Sequence, residues 1–374
     1  MPQFSLDLAE ENPDYLSRQL ITYIGNKRAL LHFIGQGLEL VRRRLGKHRL
    51  SCFDVFSGSG VVARFLKRYA DRLLANDLET YSWIINSCYL TNASAVNRQE
   101  LEYWFVWLRN RLTEDSLAAG FISELYAPKD EHHIKRGERC FYTPRNARYI
   151  DTARQLISEL PPTIQHFFIA PLLAAASIHA NTAGVFKGFY KDGKTGTGQY
   201  GGRNRDAQKR ILGNIELELP IFSKFDAEVT VYKEDANQLI GSLEEVDLAY
   251  LDPPYNEHPY GSNYFMLNVI AEYRRPTALS PVSGIPPDWH RSVYNKRQEA
   301  YRALSDLVEG IRAKYLLLSF NSEGHITLPD MVALLERIGK TEVLETRYNT
   351  FRGSRNLHHR PVHVTEYLYL VEKR

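Results

Sequence analysis

Apolar positions set the first element. Over 27–45, Leu30, Leu31, Phe33, Ile34, Leu38 and Val41 recur at helical spacing, which predicts an amphipathic helix. The period then changes. SCFDVF (51–56) reads as a short buried strand, SGSG (57–60) as a tight turn, and VVARFLKRYA (61–70) as a helix. RLLAND (72–77) reads as a second strand ending in an acid, and TYSWIINSCYL (80–90) as another helix. Strand, turn, helix, strand and acid in that order predict the start of a doubly wound α/β sheet.

From about 99 to 225 the rhythm is lost. Helical patterns over 101–112, 147–160 and 163–179 lead into a Gly- and Lys-rich loop at 184–202. The next strand of the core type is AEVTVYKED (227–235), followed by the hydrophobic VDLAYLDPPY (246–255) and YLLLSFNSEG (315–324). LPDMVALLERIG (328–339) is a helix with Gly as its stop, and 342–373 reads as a terminal strand pair. Residues 276–287 form a proline-rich loop. The expected organisation is one α/β domain, 1–98 and 226–374, interrupted by a mostly helical insertion, 99–225.

Composition changes this picture little. A chain of 374 residues with 44% hydrophobic and 24% charged residues can bury a large core without disulfide or metal staples. The three cysteines, Cys52, Cys88 and Cys140, lie far apart, so neither a disulfide framework nor a cysteine-rich metal site is expected. They suit a reducing, cytoplasmic compartment. The first 20 residues have no signal- or transit-peptide pattern, and no apolar run reaches the roughly 20 residues of a membrane span. Net charge is only +3, so phosphate binding would depend on local basic stretches: 41–49, 187–210 and 347–360.

The candidate chemistry centres on DPPY. Two prolines after a buried strand force the chain out of the sheet in a fixed direction. The Asp252 carboxylate and Pro253 carbonyl then point beyond the strand end, the edge where open α/β sheets bind ligands. Two neighbouring acceptors suit an amino group with two hydrogens, and Tyr255 offers a face for a planar heterocycle. A purely structural strand-ending turn is the alternative. FDVFSGSG places small residues where a helix begins, although Ala63 departs from the full Gly-rich spacing. Asp77 is placed to accept ribose hydroxyls, or to cap the following helix. Asp235 in KEDA can accept an adenine amino group, or be a solvated turn acid. Lys27, at a helix start where the macrodipole disfavours a cation, points to a functional lysine or to a solvated one.

The order YIGNK, FDVFSGSG, NDLE, insertion, EDA, DPPY resembles the Dam-like, D12-class adenine-N6 DNA methyltransferases of the α arrangement, over nearly the whole chain. The resemblance implies a Rossmann-like sheet that uses S-adenosylmethionine, with an inserted DNA-recognition domain. By position it assigns Tyr23, Gly25, Asn26, Lys27, Asp54, Phe56, Ser57, Gly58, Gly60, Asp77, Asp235 and Ala236 to the cofactor. It assigns Asp252, Pro253, Pro254 and Tyr255 to catalysis. Residues 181–202 resemble the family's DNA-contacting loop. Asn181 opens it, Lys187, Lys191, Lys194, Arg203 and Arg205 can neutralise phosphates, and Phe186, Tyr190 and Tyr200 can stack on or wedge beside a base. A solvated surface loop is the alternative. In the tail, the arginines of 347–367 can hold DNA backbone, while the adjacent His358 and His359 cannot jointly chelate a metal.

The implied activity is site-specific methylation of adenine N6 in duplex DNA with base flipping, by a monomer on its DNA. A restriction endonuclease is a possible companion. Two rivals remain: a cytosine-N4 methyltransferase, whose target amine also carries two hydrogens, and a non-catalytic DNA-binding module. DPPY favours adenine, and intact acids at 54, 77, 235 and 252 favour an enzyme.

Overall fold

The computed structural model describes residues 11–205, 207–349 and 363–374. Arg352, Arg355, His358, His359 and Arg360, read above as surface or DNA-contact residues, lie outside the described residues.

Seven strands form a single sheet: β1 (Leu50–Asp54), β2 (Ala70–Asn76), β3 (Glu228–Tyr232), β4 (Val246–Leu251), β5 (Ala313–Asn321), β6 (Gly339–Asn349) and β7 (His363–Lys373). Their spatial order is β3-β2-β1-β4-β5-β7-β6. β1 to β5 pair in parallel, and β7 enters antiparallel between β5 and β6. This is the Rossmann-like α/β sheet expected. Chain order reverses between β1 and β4, so the crossovers on either side diverge and leave a crevice beyond their C-terminal ends. Asp54 ends β1 and Asp252 follows β4, so both border that crevice.

Local chemistry explains the elements. All six residues of β4 are buried, as a central parallel strand covered on both faces requires. Helix Leu31–Leu45 buries Ile34, Leu38 and Val41 and stops at Gly46 in the left-handed conformation. Its Gly37 lets the sheet come close: a Cβ there would stand 2.8 Å from Leu317 and 2.9 Å from Leu368. Thr143 caps helix Pro144–Ser158, with Pro at the first turn.

Between 99 and 225 no strand of the sheet occurs among the described residues. Helices Arg98–Arg109, Pro144–Ser158 and Pro162–Ile178 dominate, within a few residues of the expected bounds. Their core is not separate. Leu101, Ile150, Phe168 and Leu172 share one apolar cluster with Ile84 and Ile85 of helix Thr80–Tyr89 and with Phe265 and Ile270 of helix Phe265–Glu272. The helices of this region are therefore packed onto the sheet's own helices. Helices Phe265–Glu272 and Arg297–Gly310 were not anticipated from the pattern. No helix among the described residues is long and apolar enough to cross a membrane.

Candidate active site

The site is assembled from six segments at the C-terminal edge of the sheet. The turn after β1 comes first. Gly58 and Gly60 have φ of +51° and +74°, conformations that favour glycine. The Gly58 N–H donates to Asp77 Oδ2 at 2.7 Å, and the Glu79 N–H donates to Asp77 Oδ1 at 2.9 Å. Asp77 thus ties the first turn to the second strand and starts the next helix. Burial lifts its pKa to about 6. Ser57 lies behind the turn: its Oγ donates to Asn76 O at 3.0 Å and accepts from Asn86 Nδ2 at 3.0 Å.

The second segment is Tyr23–Lys27. Tyr23 stacks on Tyr260 and Tyr264 with ring centroids 4.9 and 4.8 Å away, and its hydroxyl lies 3.2 Å from that of Tyr81. The Ile24 N–H donates to Tyr264 Oη at 2.7 Å, and Tyr260 Oη donates to Ile24 O at 3.1 Å. Both tyrosines come from the chain just after DPPY, so the N-terminal motif and the catalytic motif are built against each other. Asn26 closes the turn, its Oδ1 accepting from the Arg28 N–H at 2.8 Å.

Lys27 is buried, with its Nζ 3.1 Å from Asp252 Oδ1 and 3.0 Å from Glu366 Oε1. Burial opposes its charge, but the two carboxylates more than offset this and raise its pKa well above the usual value. Asp252 is lifted to about 6, by burial first and then by Glu366, against the opposing pull of Lys27. Asp54 is fully buried, and burial raises its pKa far above the ordinary carboxylate range. Tyr255 packs edge-on against Phe320 at 5.7 Å, with Lys27 Nζ 5.7 Å from its ring centre.

These segments enclose a cleft of about 740 Å³, partly open to solvent. Of the residues expected to hold cofactor, Tyr23, Gly25, Phe56, Gly58, Asp77, Asp235 and Ala236 line it; of the catalytic motif, Asp252 and Pro254 do. Asn26, Lys27, Asp54, Ser57, Gly60, Pro253 and Tyr255 are not in its wall and stand beside or behind it. Asp235 lines the cleft and also caps helix Ala236–Leu239, accepting from the Asn237 N–H at 2.9 Å. Sequence reasoning missed Glu79, Tyr260, His290, Tyr294 and Asn295, which also line the cleft. Tyr260 and Tyr264, four apart, carried a faint helical signal. His290, Tyr294 and Asn295 carried none, because they lie in a loop and a single 3-10 turn, Val293–Asn295, laid over the cleft by the tertiary fold. The His290 backbone passes so close to Gly261 that a Cβ there would meet its carbonyl at 2.5 Å. His290 Nδ1 lies 3.4 Å from Glu79 Oε2, and this contact raises the imidazole pKa.

The 181–202 loop divides into two kinds of residue. Lys187, Lys191, Lys194, Arg203 and Arg205 are exposed. Asn181 and Phe186, expected to touch DNA, are interior instead. The Asn181 amide donates to Cys140 O and Gln199 O at 2.7 and 2.8 Å and accepts from the Gly201 N–H at 3.0 Å. Phe186 packs against Phe141 and Phe265. Tyr190 and Tyr200 are half-buried, and Tyr200 Oη donates to Tyr142 O at 3.3 Å. The apolar and amide groups shape a hairpin that presents the cations.

Asp252, Asp77 and a glycine turn border the switch point of the parallel sheet, the edge at which open α/β sheets bind ligands. The chain belongs to the D12 class of N6 adenine-specific DNA methyltransferases, whose family model matches residues 23–300. Among characterised relatives, the Type II methyltransferase M.NlaIII of Neisseria lactamica is 30% identical over 362 residues, covering 94% of this chain and 99% of the relative. The Type II methyltransferase M.CviAII of Paramecium bursaria Chlorella virus 1 is 29% identical, covering 89% of this chain and 93% of the relative. The Type II methyltransferase M.FokI of Planomicrobium okeanokoites is 28% identical, covering 94% of this chain but 52% of that longer relative. Membership of this class implies a DNA substrate and, in general, S-adenosylmethionine as methyl source.

Proposed function

We propose that the chain methylates N6 of adenine within a specific sequence of duplex DNA, with S-adenosylmethionine bound in the cleft and the target base flipped toward Asp252. One observation carries the reading: the cleft brings the Asp252 and Pro254 of DPPY into the same wall as Tyr23, Gly58, Asp77 and Asp235.

The lining fits this cofactor. Asp77, Glu79, Glu234, Asp235 and Asp252 face the cleft, and His290 is its one basic side chain among the described lining residues. Such a wall favours a ligand carrying sulfonium and ammonium charges. Asp77 and Asp235 would take the nucleoside, and the Gly58 turn admits close backbone approach. The bound cofactor supplies an electrophilic methyl group.

The chain's own residues do the rest. An exocyclic amine cannot be reached inside the base stack, so the base must leave it. Asp252 Oδ1 is engaged by Lys27, which leaves Oδ2 to accept one amine hydrogen, and the Pro253 carbonyl accepts the other. Tyr255 stacks on the base. Replacing N–H by N–CH3 releases one proton, which Asp252 is basic enough to hold. Positioning and electrostatics account for catalysis, and no covalent enzyme intermediate is needed. The 99–225 region, with the exposed cations of its hairpin, contacts the duplex. The relatives named as Type II methyltransferases support pairing with a cognate restriction endonuclease. A cytoplasmic protein acting as a monomer on DNA completes the reading.

The test is methylation of plasmid DNA followed by digestion and mass spectrometry of the nucleosides. N6-methyladenine is expected. N4-methylcytosine would overturn the choice of base, and unmodified DNA the enzyme reading.

A further inference from the structure

Glu366 belongs to none of the residues assigned to the site, yet it is among the most buried acids of the chain, 2% exposed. It sits on β7 opposite Asn321 of β5 and Thr346 of β6, so the sheet fixes its backbone on both sides. Its neighbours on the same strand face, Val364, Leu368 and Leu370, are buried and apolar. An acid held in such a place is costly unless it is paired. Glu366 Oε1 accepts from Ser319 Oγ at 2.8 Å and receives Lys27 Nζ at 3.0 Å. The same ammonium reaches Asp252 Oδ1 at 3.1 Å. One cation therefore serves two carboxylates. The inner one is locked into the sheet, and the outer one faces the cleft.

We propose that Glu366 is a positioning residue for methyl transfer: it anchors Lys27 from behind, so that the ammonium holds only one oxygen of Asp252 and leaves the other to the target amine. Without the inner carboxylate, Lys27 would turn wholly to Asp252, neutralise it and compete with the amine for its lone pairs. Besides Lys27 and Glu366, the groups facing Asp252 are Asp54 from the end of β1, Tyr250 from β4, Tyr255 from the turn and Tyr260 from the helix beyond it. Glu366 is the carboxylate that shares the Asp252 cation. Its charge also supports the raised basicity of Asp252.

The inference rests on the methyl-transfer reading above. It is tested by single-turnover methylation of plasmid DNA across pH, comparing the unaltered enzyme with Glu366→Gln and Glu366→Asp. Loss of the charge in Glu366→Gln should move the acid limb of the rate profile to lower pH by about one unit, a tenfold change in the proton equilibrium of Asp252. The plateau rate should fall, while KM for DNA and cofactor affinity by calorimetry stay unchanged. Glu366→Asp, which restores the charge on a shorter arm, should return the limb toward its original position. A folded Glu366→Gln enzyme with an unmoved acid limb overturns the proposal. If Gln prevents folding, Glu366→Asp carries the test, through a smaller shift in the same direction, and an unmoved limb overturns it there too. Failure of the unaltered enzyme to make N6-methyladenine would sink the functional reading instead.

Discussion

Gly58→Ala tests whether the glycine turn shapes the cleft through Tyr23. Gly58 has φ of +51°, and a Cβ built there would lie 2.9 Å from Tyr23 Cε1 and 3.1 Å from its hydroxyl. Tyr23 has little room to yield, being stacked on Tyr260 and Tyr264 and joined to Tyr81. Two costs add. The left-handed conformation costs an L side chain about 1–2 kcal/mol, and overpacking against a fixed ring adds roughly 1–3 kcal/mol. Gly46→Ala separates them, because Gly46 has φ of +63° and nothing within 4 Å of its Cβ position. Thermal unfolding and calorimetric titration with S-adenosylmethionine should be run on both variants. Gly46→Ala should show only the strain cost and keep full affinity. Gly58→Ala should lose more stability and bind cofactor roughly tenfold or more weakly, about 1.4 kcal/mol per factor of ten, because Tyr23 and the Asp77-bonded turn must shift together. If Gly58→Ala matches Gly46→Ala in both measurements, the Tyr23–Gly58 contact does not form the cleft wall.

Asp252→Asn should cut the transfer rate by at least about 100-fold while leaving cofactor binding measurable, and retained turnover would refute the role given to this carboxylate. Burial lifts Asp252 from the ordinary carboxylate range to about 6. The folded state therefore holds this proton more tightly than the unfolded chain. Between about pH 4 and 6 stability therefore falls as pH rises; a melting temperature that climbs with pH across that window would contradict this. In the unaltered enzyme, kcat/KM should fall as pH drops through about 6, where Asp252 and Asp77 both take up protons; a flat profile to pH 5 would show that neither carboxylate must be ionised. Neutralising Lys191, Lys194, Arg203 and Arg205 together should weaken DNA binding and reduce the salt slope by about 0.9 for each phosphate that these cations neutralise, read by fluorescence anisotropy, whereas an unchanged slope would remove the hairpin from the interface. Asn181→Ala should act on stability first, because it leaves Gly201 N–H and the Cys140 and Gln199 carbonyls without their amide partner, at about 1–3 kcal/mol for each buried group; a fully stable variant with impaired DNA binding would reverse this assignment.

Much of the site was legible in the chain because its motifs are local. A buried run ending in two prolines, a glycine turn after a strand and an acid closing the next strand each fix backbone direction within a few residues. Their common edge then follows from the parallel sheet. The helices between 99 and 225 were legible for the same reason: the apolar periodicity is intrinsic to each segment. What sequence could not supply was company. Phe186 and Asn181 looked like DNA contacts because aromatic and amide groups in a Gly-rich loop serve either surface or core, and only packing against Phe141, Phe265 and Gln199 decides between them. Glu366 left one trace, an acid on the apolar face of a terminal strand, but its partner Lys27 lies more than 300 positions away. His290, Tyr294 and Asn295 left none. The sequence by itself determined the sheet, the class of chemistry and the acids that border the crevice. The tertiary structure alone decided which groups share Lys27, which residues close the cleft and which loop residues face outward, because those depend on contacts between segments that no local spacing encodes.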